Sequence, residues 1–122
     1  MAEHGGGSVI NVISVGGLKP SALTGFYAAT KAALDALTKV MAAEWAGKGI
    51  RVNSLAPGSY HSDLFDSAAT IPGYLEGAIN ASLQKRVAET DEIIGPVLYL
   101  ASDLSSYTTG HTLVSDGGYM VL

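Results

Sequence analysis

The sequence predicts an α/β fold in which a three-stranded parallel sheet carries crossover helices, in the order β-α-β-α-β. Three short runs of apolar, β-branched residues have the composition of strands buried on both faces. Between them, two longer stretches place apolar residues at the three- and four-residue steps of a helix. Strands that alternate with helices favour a parallel sheet with right-handed crossovers. A length of 122 residues suits one domain, residues 1–122.

The first predicted strand is the glycine-bounded run from Ser8 to Ser14. Residues 5–7, three glycines, precede it and are interpreted as a flexible lead-in. The glycines and proline in 16–20 predict a loop after the strand. A long helix is predicted from Gly25 to about Ala46, and glycines in 47–49 end it.

The second predicted strand covers residues 50–56 and is stopped by the pair Pro57-Gly58. The following stretch, 59–88, has mixed composition and predicts a flexible loop that carries short helical pieces. We therefore expect the least regular part of the domain directly after the second strand.

A second helix is predicted from Thr90 to Ala101, with Thr90 as its start signal and acidic residues in its first turn. Pro96 falls after that first turn, so some distortion is expected there. Residues 111–115 predict a short last strand, which a turn of Asp and two Gly closes.

Composition excludes several classes of function. The 11 acidic and 7 basic residues give a net charge of −4, which argues against nucleic-acid binding. There is no cysteine, which excludes disulfides and thiolate metal sites and fits the cytoplasm. Polar residues interrupt every apolar stretch before the ~20 residues of a membrane span, so no membrane association is expected. His4 and His61 are isolated in sequence, so no metal site is expected.

Tyr27 and Lys31 lie four residues apart on the long predicted helix, so their side chains share one face. An ammonium beside a phenol favours the phenolate, which suits the hydroxyl for proton transfer at neutral pH. Ser14 ends the first predicted strand, at the edge where open α/β sheets build their sites. A hydroxyl there can hydrogen-bond a carbonyl oxygen on which charge develops.

Each of these residues also fits an ordinary structural role. Tyr27 is compatible with a packed aromatic side chain, and Lys31 with a lysine that lays its stem along apolar surface. Ser14 is compatible with a strand-end hydroxyl that bonds local backbone groups. The spacing alone leaves both interpretations open.

Four segments of the sequence favour the functional interpretation of Ser14, Tyr27 and Lys31 over the structural one. In order and spacing, residues 9–14, 27–31, 50–58 and 107–118 resemble the second half of short-chain dehydrogenases/reductases. The resemblance implies a partial Rossmann-like fold and an oxidoreductase that interconverts a carbonyl and an alcohol with NAD or NADP. It also implies that Tyr27 is the general acid/base, that Lys31 assists it and holds the nicotinamide ribose, and that Ser14 orients the substrate carbonyl.

The same resemblance implies cofactor contacts after the second strand. Pro57, Gly58 and Ser59 match the turn that flanks the nicotinamide, and Ser62 stands where many members have a threonine near the pyrophosphate. The family's glycine-rich dinucleotide turn has no counterpart in this sequence, and residues 5–7 precede a strand instead of following one. Binding of NAD or NADP and the absence of any cofactor therefore both stay open.

In the family, the counterpart of residues 59–88 closes over the substrate. Five apolar residues there predict an apolar lining without specifying a molecule: Tyr60, Leu64, Phe65, Ile71 and Tyr74. The substrate is expected to be a small carbonyl, alcohol or ester. An unpaired sheet edge and uncovered helix faces also predict a homo-oligomer, and the family packs the corresponding tyrosine helix against its copy.

Two alternative functions stay open. One is a serine hydrolase, an esterase in which Ser14 is the nucleophile and Tyr27 with Lys31 the base. Other hydrolase patterns are weaker: residues 82–85 match Ser-x-x-Lys without its partner motifs, and His111 with Asp116 has no signature spacing. The other alternative is a catalytically silent oligomer that keeps its site residues unused.

Overall fold

The computed structural model describes all residues from 1 to 122 and contains one sheet. Its three strands, all parallel, are β1 (Gly7–Val12), β2 (Ile50–Pro57) and β3 (Thr112–Ser115), in the order β1-β2-β3. β1 pairs with β2 from Gly7 opposite Ile50, and β3 pairs with the end of β2 from Thr112 opposite Ser54. The predicted α/β class and parallel sheet are confirmed.

Five α-helices surround the sheet: α1 (Val15–Leu18), α2 (Gly25–Trp45), α3 (Asp63–Ala68), α4 (Tyr74–Asn80) and α5 (Ile94–Ala101). Short 3-10 turns cover Ala2–His4, Ala46–Lys48, Thr90–Ile93, Asp103–Ser105 and Tyr119–Val121. The helical pieces predicted within residues 59–88 are α3 and α4. None of these helices has the length and hydrophobicity that crossing a membrane requires.

The central strand β2 forms the core, and residues 52–56 on it are completely buried. Val9 and Val52 pack towards Ala42 on α2. The residue before Val52 on β2, Arg51, instead donates to the carbonyl oxygen of Leu100 on α5, at 3.1 Å. Because successive residues of a strand face opposite sides, α2 and α5 cover opposite faces of the sheet.

The glycines before β1 form a tight contact, which corrects the expected flexible lead-in. A methyl group built at Gly6, where φ is +98°, would lie 2.1 Å from the carbonyl oxygen of Gly49. The amide of Gly7 donates to that same oxygen at 3.2 Å. Gly49, with φ of +72°, ends the turn after α2, so two glycine segments meet where β1 and β2 begin.

The region after β1 also differs from the prediction. The strand ends at Val12, and Ser14 caps a short helix, α1, where a loop was expected. Gly17 explains why a helix fits there: a methyl group at this position would lie 2.7 Å from Lys31 Cβ and 2.9 Å from Ala32 N. The missing side chain lets α1 pack directly on α2.

The helix predicted from Thr90 does begin there, but Thr90 is not its N-cap. Glu89 is its N-cap, and Glu92 completes a capping box by accepting from the Glu89 amide. The first turn is a 3-10 helix, and α5 starts at Ile94. Pro96 therefore lies in the first turn of α5, where its missing N–H leaves little unsatisfied.

Candidate functional site

A cleft of about 940 Å³ opens beside the carboxyl ends of β1, β2 and β3. One side, which we call the helix wall, comes from residues 13–27, and another, the loop wall, from residues 59–92. Six predicted site residues line the cleft: Ser14, Tyr27, Pro57, Gly58, Ser59 and Ser62. The seventh, Lys31, does not line it.

Ser14 is fixed by its capping position. Its backbone is extended, with φ of −162°, and its Oγ accepts the amide of Gly16 at 3.1 Å. That is the only hydrogen bond that its side chain makes, so the hydroxyl hydrogen stays available as a donor. The local capping role and a role towards a ligand are therefore compatible.

Tyr27 lies in the first turn of α2 and is 48% exposed. Its hydroxyl makes no hydrogen bond within the chain. A methyl group built at Gly16 would lie 3.4 Å from Ser14 Oγ and 3.5 Å from Tyr27 Cε1. The structure thus brings the serine and the tyrosine to the two sides of one small volume, which a glycine keeps open.

Lys31 lies one helical turn beyond Tyr27, as the spacing predicts. Its Nζ is 5.8 Å from the centroid of the Tyr27 ring and donates to the carbonyl oxygen of Val12 at 3.0 Å. The ammonium is therefore anchored at the end of β1, behind the tyrosine, and does not face into the cleft.

The turn after β2 joins the floor of the cleft to β3. The amide of Gly58 donates to the Ser115 carbonyl at 2.9 Å. A methyl group at Gly58 would lie 2.7 Å from Asp116 Cα, so only glycine fits this approach. The Ser59 side chain makes no hydrogen bond within the chain, whereas Ser62 Oγ caps α3 by accepting the Phe65 amide at 3.2 Å.

The apolar lining is confirmed at four of the five expected positions: Tyr60, Leu64, Phe65 and Tyr74. Ile71 does not line the cleft. It lies in the turn between α3 and α4 and is 59% exposed, because that turn faces solvent.

The sequence reasoning missed an ion pair in the loop wall. Arg86 donates to Glu92 through both terminal nitrogens, Nη1 to Oε2 at 2.6 Å and Nη2 to Oε1 at 2.7 Å. Hydrogen bonds from Arg86 and from the Glu89 amide lower the pKa of Glu92 to about 2. The capping pattern Glu89-x-x-Glu92 was the available signal for part of this arrangement, but nothing local marks Arg86 as its partner.

His61 also has a partner that the sequence did not reveal. Its Nδ1 is 2.7 Å from Asp66 Oδ1, and this hydrogen bond raises the pKa of the imidazole. The pair joins the segment after β2 to α3. No group of three or more His, Asp or Glu side chains is placed to hold a metal ion.

The hydrolase patterns do not assemble. Ser14 Oγ makes no hydrogen bond to Tyr27 or Lys31, so no base is placed to activate it as a nucleophile.

The side chains of the other two candidate hydrolase patterns, residues 82–85 and His111 with Asp116, make different hydrogen bonds. Lys85 Nζ donates to the Asn80 carbonyl, and Ser82 Oγ to the Arg86 carbonyl. Asp116 accepts the amides of Gly118 and Met120 instead of contacting His111.

Comparison with known proteins decides the family. The family model described as Enoyl-(Acyl carrier protein) reductase matches residues 1–120. The chain belongs to the short-chain dehydrogenase/reductase family. Among members of this family, it is 41% identical to the A-factor type gamma-butyrolactone 1'-reductase of Streptomyces virginiae, over 100% of this chain and 48% of that protein. It is 37% identical to the galactitol 2-dehydrogenase of Cereibacter sphaeroides, over 99% of this chain and 48% of that protein.

Solved structures of short-chain dehydrogenases/reductases share the fold. The gluconate 5-dehydrogenase of Burkholderia cenocepacia, in complex with NADP and tartrate, has a TM-score of 0.95 and 34% identity over 99% of this chain and 48% of its own. The L-sorbose reductase of Gluconobacter frateurii, complexed with NADPH and L-sorbose, has a TM-score of 0.93 and 29% identity over 100% of this chain and 50% of its own. The chain thus spans about half the length of the relatives it matches. These relatives are named dehydrogenases and reductases, and none supports the esterase alternative.

Proposed function

We propose that this chain carries the proton-transfer site of an NAD- or NADP-dependent oxidoreductase that interconverts a small carbonyl compound and its alcohol. The observation that carries the proposal is the placement of Ser14 and Tyr27 on two sides of one volume in the cleft. Both hydroxyls keep a free hydrogen for a ligand oxygen. Membership of the family supports the reaction class.

In the direction of reduction, Tyr27 gives its hydroxyl proton to the substrate oxygen and is left as phenolate. The ammonium of Lys31 lies 5.8 Å from the centroid of the Tyr27 ring, and the resemblance to the family implies that this lysine assists the tyrosine. The hydrogen bond from Lys31 to the Val12 carbonyl holds the ammonium in place. In the direction of oxidation the same phenolate takes the proton back from the alcohol.

Ser14 orients the substrate. Its Oγ is held by the Gly16 amide, so its remaining hydrogen has a fixed origin from which to donate to the carbonyl oxygen. Because no base lies within hydrogen-bond distance of its Oγ, Ser14 serves better as a donor than as a nucleophile.

A bound nicotinamide would donate or accept the hydride at the carbonyl carbon. Pro57, Gly58 and Ser59 line the cleft at the end of β2, and the free hydroxyl of Ser59 fits a polar group such as a carboxamide. Ser62 lines the cleft next to them and still has a hydroxyl hydrogen to donate to an anionic group. Support for a nucleotide comes from relatives whose structures contain NADP or NADPH.

We also propose that residues 1–122 form one domain that self-associates. β1 pairs with β2 alone, so its outer edge is open. On α2, Phe26, Leu37 and Val40 are 94%, 51% and 51% exposed, which leaves an apolar face on this helix. Sedimentation should show a dimer or larger species, and a compact, stable monomer at micromolar concentration would refute self-association.

The assay for the proposed function is hydride transfer by the purified chain, followed by nicotinamide absorbance, with NADH or NADPH and a panel of small ketones. Tyr27→Phe should lower the rate by about 10²- to 10⁴-fold while circular dichroism stays unchanged, because only the transferable proton is lost. Tyr107→Phe is the matched control, since Tyr107 is 103% exposed and lies outside the cleft. Equal rates for the parent and Tyr27→Phe would rule out the tyrosine as the general acid/base. A parent chain without activity would favour the alternative of a catalytically silent oligomer.

A further inference from the structure

The end of β1 has a carbonyl group that faces away from β2. The amide of Ile13 donates to the Leu55 carbonyl oxygen on β2 at 2.8 Å. The carbonyl of Val12 belongs to the same peptide unit, and the N–H and C=O of a trans peptide unit point in opposite directions. The Val12 oxygen therefore points to the open edge of β1, where no strand pairs with it. Its hydrogen-bond partner is Lys31 Nζ, at 3.0 Å.

Lys31 reaches this oxygen only through its terminal nitrogen. The lysine side chain is a flexible four-carbon stem that carries a compact charge. Nζ makes no other hydrogen bond within the chain. The place of the ammonium behind Tyr27 therefore depends on where the Val12 carbonyl lies relative to α2. A shift of the end of β1 away from α2 would move the ammonium or release it.

A second contact fixes the end of β1 on α2. Asn11, the residue before Val12, donates through Nδ2 to Thr38 Oγ1 at 2.9 Å and lies 4.0 Å from Met41 Sδ. Apart from Lys31, Asn11 makes the only hydrogen bonds between β1 and α2. The strand is thus held to the helix directly beside the carbonyl group that Lys31 uses.

The hydroxyl of Thr38 has a defined orientation. Thr38 is 1% exposed, and its Oγ1 donates to the Leu34 carbonyl oxygen of the preceding helical turn at 2.8 Å. Since the single hydrogen of the hydroxyl is used there, the oxygen acts as acceptor towards the NH₂ group of Asn11. Thr38 lies two helical turns beyond Lys31, so both residues belong to the face of α2 that meets β1.

We propose that Thr38 is a positioning residue for the proton transfer. By holding Asn11, it fixes the end of β1 on α2 and so places the Val12 carbonyl that keeps the Lys31 ammonium behind Tyr27. The inference rests on the proposed function, since it concerns the same site. Thr38 itself does not line the cleft, so it acts on the reaction only through Lys31.

The first test removes the Thr38 hydroxyl while keeping the shape of the side chain. Thr38→Val deletes the acceptor for Asn11, and we expect kcat for hydride transfer to fall about fivefold. KM should change less than twofold, because no group that lines the cleft is altered. Thr38→Ser keeps the hydroxyl and should restore kcat to within twofold of the parent.

Thr109→Val is the matched control for a loss of stability. Thr109 Oγ1 accepts the Val52 amide at 3.0 Å and makes no hydrogen bond to β1 or α2. This variant also loses one hydrogen bond of a threonine, but kcat should stay unchanged. Circular dichroism verifies that each variant is folded.

A double-mutant cycle tests whether Thr38 acts through Lys31. Lys31→Met removes the ammonium and keeps an apolar stem. In this background Thr38→Val should lower kcat by less than twofold, because the group that it positions is already absent. A fivefold loss in both backgrounds would show that Thr38 acts by another route and would overturn the inference.

NMR supplies a readout that needs no catalysis. The chemical shift of the Val12 carbonyl carbon depends on the hydrogen bond from Lys31, so Lys31→Met gives the shift of the free carbonyl. Thr38→Val should move the Val12 signal at least halfway to that value, whereas Thr38→Ser and Thr109→Val should leave it in place.

A Val12 signal that Thr38→Val does not move, or equal losses of kcat in Thr38→Val and Thr109→Val, would each overturn the inference. A parent chain without hydride transfer would refute the proposed function, and the Val12 signal would still decide whether Thr38 places Lys31.

Discussion

The helix wall of the cleft is held by backbone geometry, whereas the loop wall is held largely by pairs of side chains. In the helix wall, Ser14 caps α1 through the Gly16 amide, and Gly17 lets α1 lie directly on α2. In the loop wall, backbone pairing of Tyr60 with Ala88 is supplemented by side-chain hydrogen bonds between residues five or more positions apart. Ser14 and Tyr27, which we propose act on the substrate oxygen, thus lie in the wall where helices pack directly on each other.

The largest effect on stability should come from disrupting the contact between α1 and α2, which form the helix wall. Gly17→Ala puts a methyl group 2.7 Å from Lys31 Cβ and 2.9 Å from Ala32 N, and backbone cannot move aside cheaply. We expect a loss of about 1–3 kcal/mol in the free energy of unfolding, as for other overpacked sites. Urea denaturation followed by circular dichroism measures it, and an unchanged midpoint would show that α1 and α2 are not rigidly packed.

Gly16→Ala, the matched change one residue earlier, tests access of substrate to the helix wall without disrupting the fold. The new methyl group would lie at ordinary contact distance, 3.4 Å from Ser14 Oγ and 3.5 Å from Tyr27 Cε1, so the fold should survive. Because the methyl group fills the volume between the two hydroxyls, we expect hydride transfer to bulky ketones to fall about tenfold, with a smaller loss for acetone. Equal losses for all ketones, or none, would show that substrate does not enter between Ser14 and Tyr27.

The smallest effect should appear in the loop wall as a dependence on pH. The hydrogen bond to Asp66 raises the pKa of His61 above its ordinary value of 6.5, so the pair stabilises α3 fully at pH values below 6.5. That contribution is lost as the pH rises through the raised pKa of the folded state.

NMR titration of the His61 ring signals measures this shift. Asp66→Asn should move the midpoint back towards 6.5, because the acceptor loses its charge. His4, near the amino terminus and without a carboxylate partner among the ion pairs, provides the reference signals in the same spectra. A midpoint that Asp66→Asn does not move would contradict the role of the pair.

The sequence predicted the sheet, its parallel pairing and the long helix because each depends on composition over many residues. Three residues that the resemblance to a family singled out, Ser14, Tyr27 and Pro57, line one cleft, and their roles stay predictions. Predictions at single residues were less accurate. Thr90 lost the capping position to Glu89, and Ile71 faces solvent instead of the cleft. At such positions several residues satisfy the same local rule, and packing elsewhere decides among them.

By itself, the sequence determined the fold class and the chemistry on offer: a serine, a tyrosine and a lysine at fixed positions along two adjacent elements. Tertiary structure alone decided where these side chains lie and what they contact. It turned the Lys31 ammonium to the Val12 carbonyl, kept the space between Ser14 and Tyr27 open at Gly16, and closed Arg86 onto Glu92. The physical reason is the separation along the sequence over which each kind of interaction acts. Periodicity and capping act over a few neighbouring residues, whereas contacts such as Lys31 with Val12 and Gly58 with Asp116 form between segments that meet only after folding.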